Sequence, residues 1–208
     1  MLELGTYDGY ILSYNGGQII SAKNGEVLFE RRINPEMLPY LEKKAKKNGF
    51  SIFTYNENRI ITNNASDTHV VDEAFINDME VCQTEEFSLA VDYPPCKVVL
   101  VSDDEGSLVS LEHHWKRRLN GVLDVFRTED FFLEVVGCGI DKANALAAFM
   151  DKAGILPEEV IAIGNGVADV NMLQLVGLGI AMGNAPDSVK RCVDYATLSN
   201  EEDGVAVA

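Results

Sequence analysis

The chain has 208 residues, 47% of them hydrophobic and 24% charged, with 17 Lys+Arg against 33 Asp+Glu for a formal charge of −16. This is ordinary globular composition, with apolar material for one large domain or two small ones, and its negative field argues against nucleic-acid backbones and anionic membrane surfaces as partners. An anion would have to be held by a local device: backbone N–H groups, a lysine or a metal ion.

No apolar run approaches the roughly 20 residues of a membrane span, and the first twenty residues lack the basic start and apolar centre of a signal peptide. The four cysteines, Cys82, Cys96, Cys138 and Cys192, form no C-x-x-C pair and read as reduced core thiols of a cytoplasmic protein. In chain order, apolar runs at 10–15, 18–22 and 27–33 are separated by Gly16-Gly17 and by Lys23-Asn24-Gly25-Glu26. They predict a strand pair with an Asn-Gly hairpin. Pro35 opens a predicted helix over 35–48, with Met37, Leu38, Leu41 and Ala45 on one face and Gly49 as its stop. Lys43, Lys44, Lys46 and Lys47 suit the negative end of its dipole and read as a solvated face.

Strands follow at 50–55 and 59–63, then a short helix over 67–79 and an irregular connection over 80–96 containing Pro94-Pro95. A strand at 97–102, a helix over 105–119 and strands at 122–128 and 131–137 complete this stretch. His113 and His114 on the helix point about 100° apart and make a poor metal pair. After Gly139 the pattern changes to a helix over 141–154, a strand at 158–164 buried on both faces, a helix over 168–176 and a strand at 177–183. A helix over 185–193 and a short strand at 194–199 close the series. Alternation at this spacing predicts parallel β–α units, with the antiparallel-looking region of about 25–130 as a second domain.

Ligands of doubly wound sheets sit beyond the carboxyl ends of the strands. Gly164-Asn165-Gly166 and Met182-Gly183-Asn184-Ala185 leave two such ends, and each precedes a helix whose free N–H groups face the crevice. Lys142 opens a third helix on the same edge. Together they predict an anion site.

As a set, "FFLEVVGCGIDKANALAAF", "EEVIAIGNGVADVNML", "GLGIAMGNAPDSVK" and "VDYATLSNEEDGVA" resemble the Cof-type sugar phosphatases of the haloacid dehalogenase superfamily, subfamily IIB. The opening "LGTYDGYILSYNGGQI" resembles the segment that leads from their core into the cap. The resemblance implies an α/β fold with a partial Rossmann-like parallel core, about 1–20 with 137–208, and an inserted α+β cap, about 21–136. It implies hydrolysis of sugar phosphates or similar small phosphomonoesters through an aspartyl-phosphate, with Mg²⁺ neutralising the phosphoryl oxygens. Lys142 corresponds to the lysine that neutralises nucleophile and phosphate. Asn15, Gly16 and Asn184 fall at substrate-binding positions, Asn165 and Asp169 at metal positions, and the partner is a small phosphorylated metabolite.

The chain departs from that pattern in two places. The Asp-x-Asp-Gly-Thr stretch and the Ser/Thr phosphate loop of the family are absent, so the chain is expected to begin after the first two core strands. Where the family reads Gly-Asp-Gly-x-Asn-Asp, this chain has Asn165 for a metal-ligating carboxylate and Ala168 for a hydrogen-bonding amide. An amide oxygen supplies geometry without charge, so Mg²⁺ binding is expected to be weak or absent and the chain inactive alone. A missing central strand would leave the 158–164 strand with a free edge, open to self-association. Asp8 as nucleophile would require a pocket shared with Lys142 and Asp169. A non-catalytic phosphometabolite- or protein-binding remnant, or a product without activity, are the alternatives.

Overall fold

The computed structural model describes Thr6 and Asp8–Ala208. Residues 1–5 and Tyr7, part of the opening stretch read as leading into the cap, lie outside the described residues. In chain order the strands and helices are β1 (Tyr10–Ser13), β2 (Gln18–Ser21), β3 (Val27–Glu30), α1 (Leu38–Asn48), β4 (Ser51–Asn56), β5 (Arg59–Thr62) and α2 (Thr68–Ile76). There follow β6 (Glu80–Gln83), α3 (Phe87–Ala90), β7 (Lys97–Val101), α4 (Glu105–Arg118), β8 (Leu123–Glu129) and β9 (Phe132–Gly137). The remainder is α5 (Lys142–Ala153), β10 (Ile161–Gly164), α6 (Val170–Leu175), β11 (Leu178–Ala181), α7 (Asp187–Lys190), β12 (Tyr195–Ala196) and α8 (Gly204–Val207). The chain divides into two compact units, Met1–Glu26 with Asp141–Ala208, and Val27–Ile140; they are called the outer-sequence unit and the inserted unit below.

The inserted unit is built on a six-stranded sheet in the order β6-β5-β4-β7-β9-β8. Its pairs are antiparallel except β5 with β6. Period-two alternation divides apolar residues between its faces: Ile52, Val98, Leu100, Leu133 and Val135 join a cluster of eighteen buried residues. Phe53, Ile60, Val99 and Val101 join a second cluster of six. Helices α1 and α4 cover the first face with Leu38, Leu41, Ala45, Leu108, Leu111 and Trp115; α2 covers the second with Val70 and Ala74. Gly49 ends α1 at φ +71°, its N–H bonded to the Ala45 and Lys46 carbonyls, as a left-handed cap requires.

The connection expected to be irregular over 80–96 instead contains β6 and α3. β6 is a four-residue edge strand whose two ends, Glu80 and Gln83, are exposed, so it shows no apolar run. The four residues of α3 are held from outside. The buried Glu42 carboxylate of α1 accepts the Phe87 N–H at 2.9 Å, the Ser88 N–H at 3.0 Å and the Ser88 hydroxyl at 2.6 Å, and pairs with Lys46 at 2.8 Å. Burial pushes the Glu42 carboxyl up, but these donors outweigh it and hold it at about 2.

In the outer-sequence unit, β1 and β2 form an antiparallel hairpin, and β10, β11 and β12 form a parallel sheet in that order. A parallel sheet with connecting helices in one unit and an α+β arrangement in the other is the α/β architecture the alternation implied. Three elements differ from expectation. The strand expected over 158–164 begins at Ile161, because Pro157–Glu159 form a 3₁₀ turn, and it is not buried on both faces: Ile161 is 62% exposed. The helix expected over 185–193 is four residues long, with Pro186 before its first turn, and the last strand is only Tyr195–Ala196. Among the described residues β10 has a sheet neighbour on one side, β11. The largest core cluster of this unit among the described residues has five buried residues, Ala162, Leu173, Ala181, Ala185 and Val189.

All four cysteines are free; Cys96 is buried, but Cys192 is exposed and is no core thiol. Among the described residues no helix is long and apolar enough to cross a membrane.

Candidate active site

The site grows from the end of β10. Backbone N–H groups of Asn165 and Gly166 converge on Asp169 Oδ2 at 3.0 and 2.9 Å, folding the loop around its own carboxylate. Gly164 has to be glycine, because a Cβ there would lie 2.7 Å from the Asp169 Cβ. The other carboxylate oxygen, Oδ1, accepts from Lys142 Nζ at 2.6 Å. Lys142 is the first residue of α5, whose start is fixed by Asp141: its Oδ1 accepts the Asn144 N–H at 2.7 Å.

Asp169 is 5% exposed, whereas 41% of the Lys142 side chain remains open. Burial pushes the Asp169 carboxyl up; the Lys142 ammonium and the Gly166 and Asn165 N–H groups outweigh it and hold the group below its ordinary value. The carboxylate is therefore ionised, with both oxygens accepting hydrogen bonds. It orients Lys142, whose ammonium has three donors and gives one to Asp169.

A cavity of about 390 Å³ opens at this pair, within the outer-sequence unit. Its polar wall consists of Asn15, Gly16, Lys142, Asn165 and Asp169, and its apolar wall of Leu12, Leu146, Ile163 and Met172. Five of the six expected site residues thus meet at one cavity. Asn15 and Gly16 arrive on the β1–β2 turn, where both have positive φ, 57° and 95°, and Gly17 N–H closes onto the Tyr14 carbonyl at 3.0 Å. That is the I′ pattern for which Asn-Gly is the preferred pair. Tyr14, at φ 52°, adds a less common left-handed residue before it.

The sixth residue, Asn184, does not line this cavity. It is exposed, and its Oδ1 accepts the Asn200 N–H at 3.2 Å, fastening the loop after β11 to the turn at Asn200–Glu202. Asp8 does not line the cavity either; its carboxylate pairs with Lys23 at 2.6 Å on the surface. The apolar wall went unread, although a signal existed: Leu146 stands four residues after Lys142 and Met172 three after Asp169, the spacings that share a helix face.

The family model for haloacid dehalogenase-like hydrolases matches residues 1–208. A solved structure of a haloacid dehalogenase-like hydrolase from Bacteroides thetaiotaomicron superposes with a TM-score of 0.92 at 43% identity, covering 98% of this chain and 76% of that one. Among curated proteins, the 5-amino-6-(5-phospho-D-ribitylamino)uracil phosphatase YcsE of Bacillus subtilis is 45% identical over 91 residues, 44% of this chain and 36% of its own length. The chloroplastic endoribonuclease YBEY of Arabidopsis thaliana is 33% identical over 112 residues, 54% of this chain and 19% of its own. The chain therefore spans about a fifth and about a third of these two curated relatives. With a match along its whole length and a near-complete superposition at 43% identity, the chain belongs to the family of haloacid dehalogenase-like hydrolases.

Proposed function

We propose that this chain serves a phosphatase acting on sugar phosphates or similar small phosphomonoesters, and that its own part is to hold the phosphoryl group at Lys142. The observation that carries the reading is the Lys142–Asp169 pair at the cavity mouth, 2.6 Å apart, with the lysine open to solvent and the aspartate buried. Lys142 offers its remaining donors to phosphoryl oxygens, Asp169 keeps it aimed, and the Asn15–Gly16 turn bounds the same space. The family membership and the phosphate ester in the name of the Bacillus subtilis relative support this choice of substrate class.

The described residues do not fit the Mg²⁺ that the family resemblance implies. Among those lining the cavity, Asp169 alone carries a carboxylate, and its oxygens already accept from Lys142 and two backbone N–H groups. Beside it stands the amide of Asn165, which brings no charge to a hard cation. Among the described residues no group of three His, Cys, Asp or Glu could hold a metal ion. A carboxylate so engaged is also a poor nucleophile, so the lining residues support phosphate recognition and not, by themselves, displacement at phosphorus.

The test is titration calorimetry with inorganic phosphate on the chain and on Lys142→Ala, alongside hydrolysis of p-nitrophenyl phosphate. Phosphate is expected to bind the parent and to lose about tenfold or more in affinity in the variant, a change of about 1.4 kcal/mol. No hydrolysis is expected from the chain alone. Equal binding by parent and variant sinks the reading of Lys142; turnover by the chain alone sinks the reading of the cavity as recognition without displacement.

A further inference from the structure

Gly16 lies against α5 with no room for a side chain: a Cβ there would come within 2.3 Å of the Ala145 Cβ and 3.0 Å of the Asp141 carbonyl oxygen. That carbonyl accepts the Ala145 N–H at 3.0 Å, in the turn of α5 that begins with Lys142. Ala145 is 4% exposed, so its methyl is enclosed by the turn resting on it. The hairpin touches the helix a second time one turn further on, where the Tyr10 and Phe149 rings stack at an angle with centroids 4.7 Å apart. Between these points the register is closed by Ser13 opposite Gln18 and Leu12 opposite Ile19, and Ile19 is buried. The turn therefore has no slack with which to accommodate a change at Ala145.

We infer that the Gly16–Ala145 contact sets the spacing between Asn15 and Lys142, which makes Ala145 a positioning residue for the cavity. The inference rests on the reading of that cavity as a phosphate site, but the contact itself is a matter of geometry. Lys142 and Ala145 sit three residues apart on one helix, while Asn15 and Gly16 are adjacent on one turn. A larger group at Ala145 lifts the turn away from the helix and widens the polar wall. Nothing touching phosphate is altered.

The test compares Ala145→Ile, Ala145→Gly and Ala145→Ser with Ala148→Ile, an equal enlargement at an exposed position of the same helix. Two readouts are taken on folded protein: the affinity for inorganic phosphate and the backbone amide NMR shifts of 14–16 and Lys142. Ala145→Ile is expected to weaken phosphate binding about tenfold or more, Ala145→Ser by less than Ala145→Ile, and Ala148→Ile to stay within about twofold of the parent. The amides of the turn and of Lys142 move together in Ala145→Ile and stay in place in Ala148→Ile. Should Ala145→Ile not fold, Ala145→Gly carries the test, because it removes the methyl under the turn; unchanged affinity and unchanged shifts there overturn the inference. A parent that binds no phosphate overturns the function proposed above, and the amide shifts then decide the positioning role by themselves.

Discussion

The two units differ in the size of the core that their described residues build. In the inserted unit, clusters of eighteen and six buried residues line opposite faces of one six-stranded sheet. In the outer-sequence unit, the largest cluster among the described residues has five, three of them alanines, against a three-stranded sheet. At about 25 cal/mol for each Å² of apolar surface buried, the first is held mainly by its core. Specific polar contacts serve both units: Asp169 with Lys142 and two N–H groups and Asp194 on the Gly179 N–H at 2.9 Å in the second, Glu42 on α3 and Lys97 with Glu134 at 2.8 Å in the first. The candidate site lies in the unit with the smaller described core, where the contacts that hold the 164–169 loop also line the cavity.

Three measurements sharpen or break that contrast. The largest effect is expected from Trp115→Ala, which empties the centre of the eighteen-residue cluster and should cost about 3–5 kcal/mol in urea unfolding. A loss under about 1 kcal/mol would mean that this core is not what holds the inserted unit together. Next comes Glu42→Gln, which removes the charge that starts α3. The carboxyl is held at about 2, far below its unfolded value, so it stabilises the fold above pH of about 4.3 by about 3 kcal/mol. That contribution fades as pH falls toward 2. Acid titration of stability should show the fading in the parent and not in Glu42→Gln; identical acid profiles would contradict it.

The smallest effect is expected from Lys142→Met, at about 1 kcal/mol, because 41% of the lysine side chain is exposed and water screens the pair. Asp169 also has a depressed value, so its contribution is present above the ordinary carboxylate range and lost as pH falls below it. Without Lys142 its carboxyl moves back up toward the ordinary value, so the loss of stability in acid still begins at the ordinary carboxylate range but becomes smaller. An unchanged acid profile in Lys142→Met would show that the two N–H groups alone govern Asp169.

Legibility in the sequence followed the same division. Long periodic segments were readable: Met37, Leu38, Leu41 and Ala45 marked the first long helix, and the apolar run at 97–101 marked β7. β6 and α3 were not, because an edge strand needs no apolar run and a four-residue helix borrows its cap from Glu42, 45 residues away from Phe87. In the site, Lys142, Asn165 and Asp169 stood out because loop ends and helix starts have residue signatures. The placement of Asn184 did not, since its partner Asn200 lies 16 residues on. Nor could sequence show that Gly16 is required by Ala145 as well as by its own turn, because that requirement exists only once α5 and the hairpin are packed.

Trp115 is the chain's only tryptophan, and it is fully buried in the inserted unit. Its emission should be shifted to short wavelength when folded and red-shifted on unfolding. Fluorescence excited at the tryptophan band therefore watches one unit and is blind to the other, where the cavity lies. A melting curve recorded that way can look like one clean transition while the cavity has already opened. Coincidence with a probe that sees the whole backbone, such as far-ultraviolet circular dichroism, is what would make it a measurement of the protein.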